Sequence, residues 1–232
     1  MVVPATSLTV LRRVVLLIGL LALTGCEAIG LAAMAIVPPT KPAVYTIANR
    51  PTLIIVDDPK GLLRDPQLGL RAAARCAEVL QTEKIVTAFI DNKKLTELAA
   101  ELGDKYAKTS PYTIGKRLGA QQVILINVFA ASVSPEPALM RPAAELGVKI
   151  FDVDAKERLF PPSSKATGVP DSTGTDGFYI HKVAMRFKVT EANPQRVYAI
   201  AFEKLAEEIG EGTALLFFEH DPTKYEDIRT GG

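Results

Sequence analysis

Between residues 51 and 133 short, continuously apolar runs alternate with amphipathic segments, and this alternation constrains the fold more than any other feature. "PTLIIVDD", 51–58, has the length and unbroken apolar character of a strand buried on both faces. Asp65-Pro66 then opens a helix to about Thr82, with an acid at the N-cap and proline at the first helical position. Leu68, Ala72, Cys76, Val79 and Leu80 fall on one face of it. "KIVTAFI", 84–90, reads as a second strand. Asp91 caps a helix over "NKKLTELAAEL" that Gly103 stops, and Ser110-Pro111 starts "YTIGKRL", closed by Gly119. "AQQVILINVFAASV", 120–133, is the most apolar strand and the expected centre of the sheet.

Beyond residue 145 the pattern changes. "ELGVKIFDVDAKERLF", 145–160, reads as a hairpin turning at Ala155-Lys156, and 161–177 is a polar Gly/Ser/Thr/Pro-rich loop. "FYIHKVAMRFKV", 178–189, alternates like an antiparallel strand. Asn193-Pro194 caps a last helix with Val197, Ile200, Ala201, Leu205 and Ile209 on one face, and "TALLFF", 213–218, reads as a final strand. The order βαβα(α)β, ββ, αβ predicts a single α/β domain, a mixed sheet with helices packed on it, over residues 46–222. A polar tail, 223–232, follows.

Composition excludes several functions. Hydrophobic residues are 48% of the 232, enough for a packed core. Removing Arg12 and Arg13 from the 27 basic residues leaves 25 from Cys26 onward against 26 acidic ones, so no basic field exists for nucleic acid. Tryptophan is absent and aromatics are 6%, which leaves little material for stacking bases or sugars.

Acidic pairs are the only candidates for site chemistry in the body of the chain. Asp57 and Asp58 end the first strand, at the carboxyl edge where α/β sheets take ligands, and resemble the acid pair of response-regulator receivers. The strand expected third ends "NVFAAS" without the phospho-acceptor acid such a site needs, so a strand-end or cap role is favoured. Asp152 and Asp154 form a D-x-D that alternation would place on one strand face, with a hairpin-end role favoured over metal binding. These four acids would serve the alternative reading, a small-ligand or metal-binding protein or enzyme. "GKRLGA" lacks the P-loop spacing. His181 and His220 have no triad or zinc-motif partner, and Ser163-Ser164 has no nucleophile-elbow glycines. Cys76 reads as a small core residue. No cofactor, no catalytic residue and no metal site is expected, and the chain is read as a non-enzyme.

The N-terminus carries the sharpest motif. Arg12 and Arg13 precede ten uncharged apolar residues, Val14 to Leu23. Ten helical residues span about 15 Å, half of a bilayer core of about 30 Å, which fits a secretion signal better than a span. A span extended to Val37 would carry Glu27 near its middle, at a cost of a few kcal/mol. Leu23-Thr24-Gly25-Cys26 resembles the lipobox of bacterial lipoproteins. The resemblance implies cleavage of residues 1–25, lipid on the Cys26 sulfur, acylation of the new amine, and a tether over 26–45 that includes "VPPTKP". Two or more acyl chains give stable anchoring. Thirteen residues precede the apolar run, and a start later than Met1 would leave the lipobox unmoved. Glu27, where aspartate favours inner-membrane retention in enterobacterial lipoproteins, points to the outer membrane facing the periplasm.

Gly115, Leu118-Gly119-Ala120 before the apolar strand, and the turn from Asp152 to Arg158 resemble the curli-secretion-lipoprotein superfamily, over roughly residues 50–218. That group includes the N-terminal domain of the Tol-system propeller protein and small lipoproteins that regulate peptidoglycan synthases. The resemblance implies assembly, secretion or regulatory scaffolding through an envelope protein partner or homo-oligomer, not catalysis. Pore-forming members carry two amphipathic membrane hairpins; the segments 134–147 and 161–177 read as Pro/Gly-rich loops, which argues against a pore.

Overall fold

The first apolar run forms β1 (Thr52–Asp57), in which Leu53, Ile54 and Ile55 are all buried because helices cover both faces. The computed structural model describes residues 40–136, 139–163, 177–188 and 190–225. Each helix predicted from a capping residue begins at that cap. The Asp65 side chain accepts from the Gln67 N–H ahead of α1 (Pro66–Thr82), and Asp91 accepts from Lys93 N–H ahead of α2 (Asn92–Leu102). Ser110 accepts from Thr113 N–H ahead of α3 (Pro111–Leu118), which ends on Gly119 at φ 80° in the left-handed region. A 3₁₀ segment, Gly103–Lys108, joins α2 to α3.

β2 (Gln122–Glu136) is central, parallel to β1 and antiparallel to β3 (Leu139–Asp152). β4 (Glu157–Phe160), β5 (Tyr179–Ala184) and β6 (Phe187–Lys188) line up end to end along the far side of β3, all antiparallel to it. The mixed sheet and its packed helices make the α/β domain that the segment order implies. α1 and α4 (Pro194–Ala214, capped by Asn193) cover one face over Ile54, Ile124, Ile126, Leu146, Val148 and Ile150. α2 and α3 cover the other over Leu53, Ile55, Val123 and Phe151. Farther along that second face, past α2 and α3, Phe129 and Phe178 meet edge to face at 5.3 Å over Gly147.

Four segments depart from the sequence reading. Residues 84–90 touch β1 through one parallel bridge, Thr52 to Phe89, rather than forming a strand. Thr52 donates to the Ala88 carbonyl at 2.9 Å and accepts from the Ile90 N–H at 2.8 Å, while the Thr87 N–H goes to the Asn49 side chain at 3.0 Å instead of to a strand. Residues 213–218 are not a strand: α4 runs through Gly210 and Gly212 to Ala214, and Leu215–Phe217 continues as a 3₁₀ turn. A short apolar run has no period that separates strand from buried helix. Of the segment 134–147, read as a loop, residues 134–136 belong to β2 and 139–147 to β3, whose residues alternate between half-buried and buried from Leu139 to Leu146. Pro142 is tolerated there because it sits at a position that makes no N–H bond to β2, as set out below. The alternation serves the chain's own core, since Met140 packs with Phe187, Val197 and Ala201. The predicted strand 178–189 is also interrupted, at Met185–Arg186 between β5 and β6. Among the described residues no helix is long and apolar enough to cross a membrane.

Candidate functional site

Strand register decides what the acidic pairs can do together. Asp57 pairs with Asn127 at the far end of the stretch of β2 that β1 covers, and Asp152 pairs with Gln122, the first residue of β2, five residues away. At about 3.4 Å per residue the two acidic ends lie about 17 Å apart, so the four carboxylates do not converge.

Within the first pair the side chains have different partners, Asp57 at the end of β1 and Asp58 in the loop that follows. Both Asp58 oxygens accept backbone N–H groups, from Leu62 and Leu63 at 2.8 Å, and so shape the loop between β1 and α1. Asp57 receives the Asn127 amide at 3.3 Å. Burial, and then the neighbouring Asp58 charge, raises its pKa. Burial also raises Tyr106, and the Asp57 charge adds to that. In the second pair Asp152 is bound on both sides: Arg50 at 2.7 Å and the Ala155 N–H at 2.8 Å. These hydrogen bonds, the Ala155 one first, hold its carboxyl below the usual range. Asp154 is exposed in the turn. Among the described residues no group of three or more His, Cys, Asp or Glu side chains is placed to hold a metal ion.

Asp152 belongs to a network that sequence reasoning missed. Gln122, fully buried, accepts from Arg50 Nε at 3.1 Å and donates to the Ala48 carbonyl at 2.7 Å and Thr52 Oγ1 at 2.6 Å. It clips the segment before β1 to the start of β2 and the β3–β4 turn. The available signal was a glutamine directly preceding "VILINV", a position that burial without partners would make costly.

The two shifted aspartates set opposite pH responses. A carboxyl with a raised folded pKa costs stability once ionised, as pH climbs past its ordinary 3.8 and through the folded value. One with a lowered folded pKa contributes stability that is full above 3.8 and is lost as pH falls through the folded value. Asp57→Asn is therefore expected to stabilise the protein at neutral pH and Asp152→Asn to destabilise it. Both differences should shrink in urea melts as the pH is lowered, that of Asp57 on falling through its raised folded value and that of Asp152 only below 3.8, on falling through its lowered one. Shifts of the same sign at neutral pH would refute this assignment.

The remaining candidates are structural. Cys76 is free and fully buried, and burial pushes its thiol up to about 12, which leaves no reactive thiolate. His220 packs its ring near Phe218 and Tyr225, with Nδ1 3.1 Å from the Phe218 carbonyl oxygen, while His181 lies in β5 opposite Leu146. Cys26 and Ser164 lie outside the described residues.

Two clefts flank α4. One of about 550 Å³, against α1, is lined by Arg71, Arg75, Glu78, Glu207 and Glu211 among others. Both of its arginines are ion-paired: Arg71 with Glu207 and with the neighbouring Glu203 at 3.1 Å, and Arg75 with Glu78 at 2.9 Å and with Glu211; Lys204 and Glu208 also line it. The other, of about 420 Å³, is lined by Leu63, Leu68, Tyr198 and Phe202, with the Arg64 guanidinium 5.0 Å over the Phe202 ring. Arg64 holds φ 68°, a conformation costly for a residue with a Cβ, between the Asp58 loop and the Asp65 cap.

No protein-family model matches the chain, and no curated protein matches it significantly. Solved structures give distant likenesses. Lipoprotein GNA1162 from Neisseria meningitidis is 12% identical, with 65% of this chain and 92% of that one covered at a TM-score of 0.39. The PelC dodecamer from Paraburkholderia phytofirmans is 10% identical, over 78% and 98%, at 0.37. The hypothetical protein CT253 from Chlamydia trachomatis is 9% identical, over 72% and 96%, at 0.40.

Proposed function

We propose that the chain is a bacterial envelope lipoprotein, anchored through Cys26, that works by protein contact as an assembly, secretion or regulatory scaffold rather than as a catalyst. The observation that carries this is Leu23-Thr24-Gly25-Cys26, placed directly after ten apolar residues and two arginines. The body supports the reading in a simpler way. Asp58 and Asp152 are committed to loop and turn hydrogen bonds, and both arginines of the larger cleft are ion-paired to glutamates. The anchor places the α/β domain on the periplasmic side of the outer membrane, with the lipid as its membrane contact and an envelope protein or a further copy as its partner.

Labelled palmitate fed to a bacterial host expressing the full chain tests the anchor. The wild type is expected to take up label and fractionate with membranes. Cys26→Ser is expected to lose essentially all label, because the thiol is the only group on which the first lipid can be placed. A mature N-terminus that precedes Cys26, or label retained by Cys26→Ser, would overturn the reading in favour of a membrane-spanning anchor.

A further inference from the structure

Among the described residues the sheet has one long stretch of edge without a partner strand. β1 covers β2 only from Gln122 to Asn127, and β2 continues for nine residues beyond it, Val128 to Glu136. Among the described residues no strand pairs with that part of β2 on the side away from β3. The opposite side of the sheet is guarded differently: β4, β5 and β6 are short, interrupted, and carry Lys182 and Lys188. Broken strands and lysines are the usual protection of a sheet edge. From Phe129 to Pro135 the open edge carries no charge, and Ala130, Ser132, Ser134 and Pro135 are exposed.

Which backbone groups face outward follows from one hydrogen bond. The Pro142 carbonyl accepts from the Met185 N–H at 3.1 Å, so Pro142 points its main-chain polar groups away from β2. Its partner Val133 is then in a non-hydrogen-bonded pair and must aim its own N–H and C=O outward. Alternation assigns the same to Ala131, and leaves Pro135, which has no N–H, with an outward carbonyl only. A bulge between Val128 and Ala130 limits the regular edge at its other end. The edge thus offers two complete donor–acceptor sets, on Ala131 and Val133.

That pattern is self-complementary. We propose that two copies of the chain join edge to edge through β2, antiparallel about a twofold axis at Ser132. In this register Ala131 faces Val133 of the second copy and Val133 faces Ala131, so both donor–acceptor sets on each copy are satisfied in four hydrogen bonds. Ser132 meets Ser132 in the closer, non-hydrogen-bonded pair, where a small uncharged side chain fits. The pairing is isologous, as a closed dimer requires. It gives the protein-contact role proposed above a surface and rests on that role, while its chemistry is independent of the lipid.

Cysteine placement on the full chain in detergent tests both contact and register. The Cα separation of about 4.5 Å at a non-hydrogen-bonded pair admits a disulfide. On mild oxidation Ser132→Cys is expected to convert most of the monomer to a species of twice its mass on a non-reducing gel. Ser134→Cys alone should give at least tenfold less, because residue 134 faces 130 of the second copy. Mixing Ser134→Cys with a tagged Ala130→Cys chain should restore the cross-link. Monomer from Ser132→Cys, or equal self-cross-linking by Ser134→Cys, overturns the proposal. The result is read apart from palmitate uptake: a labelled chain that stays monomeric sinks the dimer and leaves the lipoprotein reading standing, and a dimer without label does the reverse.

Discussion

Gly210→Ala is expected to lower the melting temperature by roughly 6–12 °C, although alanine is the better helix former by about 1 kcal/mol. Gly210 lies where α4 crosses α1. A Cβ there would come within 2.3 Å of the Ala72 carbonyl oxygen and 2.9 Å of the Cys76 nitrogen, both backbone atoms that no rotamer change can move. The helices must separate, and the buried layer between them, with Ala72, Cys76, Leu205 and Ile209 all at 0% exposure, loses its fit. Overpacking at such a place costs about 3 kcal/mol, and each kcal/mol shifts the melting point of a chain this size by about 2–4 °C. Gly69→Ala is the control. In α1 its nearest contact is Val56 at 3.7 Å, an ordinary separation, so there the intrinsic preference should win and stability should rise by up to about 1 kcal/mol. Thermal melts of the two variants would contradict the packing argument if Gly210→Ala proved as stable as the wild type.

Breaking the ion pair beside the same crossing should have an effect of similar size. The Glu211 side chain is 4% exposed and binds Arg75 through Nη2 and Nε, and Arg75 also reaches Glu78. Its contact with Glu211 raises the Arg75 pKa against burial, which opposes the charge and is the largest single influence on it. Arg75→Met leaves a buried carboxylate without its counter-charge, a situation that costs about 3–5 kcal/mol. The lower end is expected, because Arg75 is itself 28% exposed and water shares in its solvation. Glu211→Leu added to Arg75→Met should recover most of the loss, since an apolar pair of like volume dispenses with both desolvation penalties. Urea unfolding of the single and double variants measures this. Equal destabilisation of the two would mean that packing, not the unpaired charge, is responsible.

Both predictions concern places that a linear reading passed over. Gly210 and Gly212 interrupt an apolar pattern and invite a helix end before 213–218. Tertiary contact gives them another purpose, the close approach of α4 to α1 and to Val183 of β5. Glu208 and Glu211 read as the polar side of a helix, yet both are buried because the C-terminal half of α4 is covered all round. The acid pairs show the same limit. Asp57, Asp58, Asp152 and Asp154 look alike along the chain, and strand register, set by distant pairings, puts the two pairs at opposite ends of β1.

What the sequence by itself determined is what neighbouring residues settle between themselves. Asp65, Asp91, Ser110 and Asn193 cap helices because a side-chain oxygen two or three residues away reaches an otherwise unpaired N–H, and Gly119 ends one because it enters the left-handed region freely. The alternating order of elements gave the α/β class for the same local reason, the periods of 3.6 and 2 along the chain. The tertiary structure alone decided which extended segments became strands, which glycines were contact points, where Gln122 found its partners, and which edge of the sheet was left open. Those outcomes depend on hydrogen bonds and contacts between residues far apart in the chain, such as Arg50 with Asp152 and Arg75 with Glu211, and no local pattern encodes them.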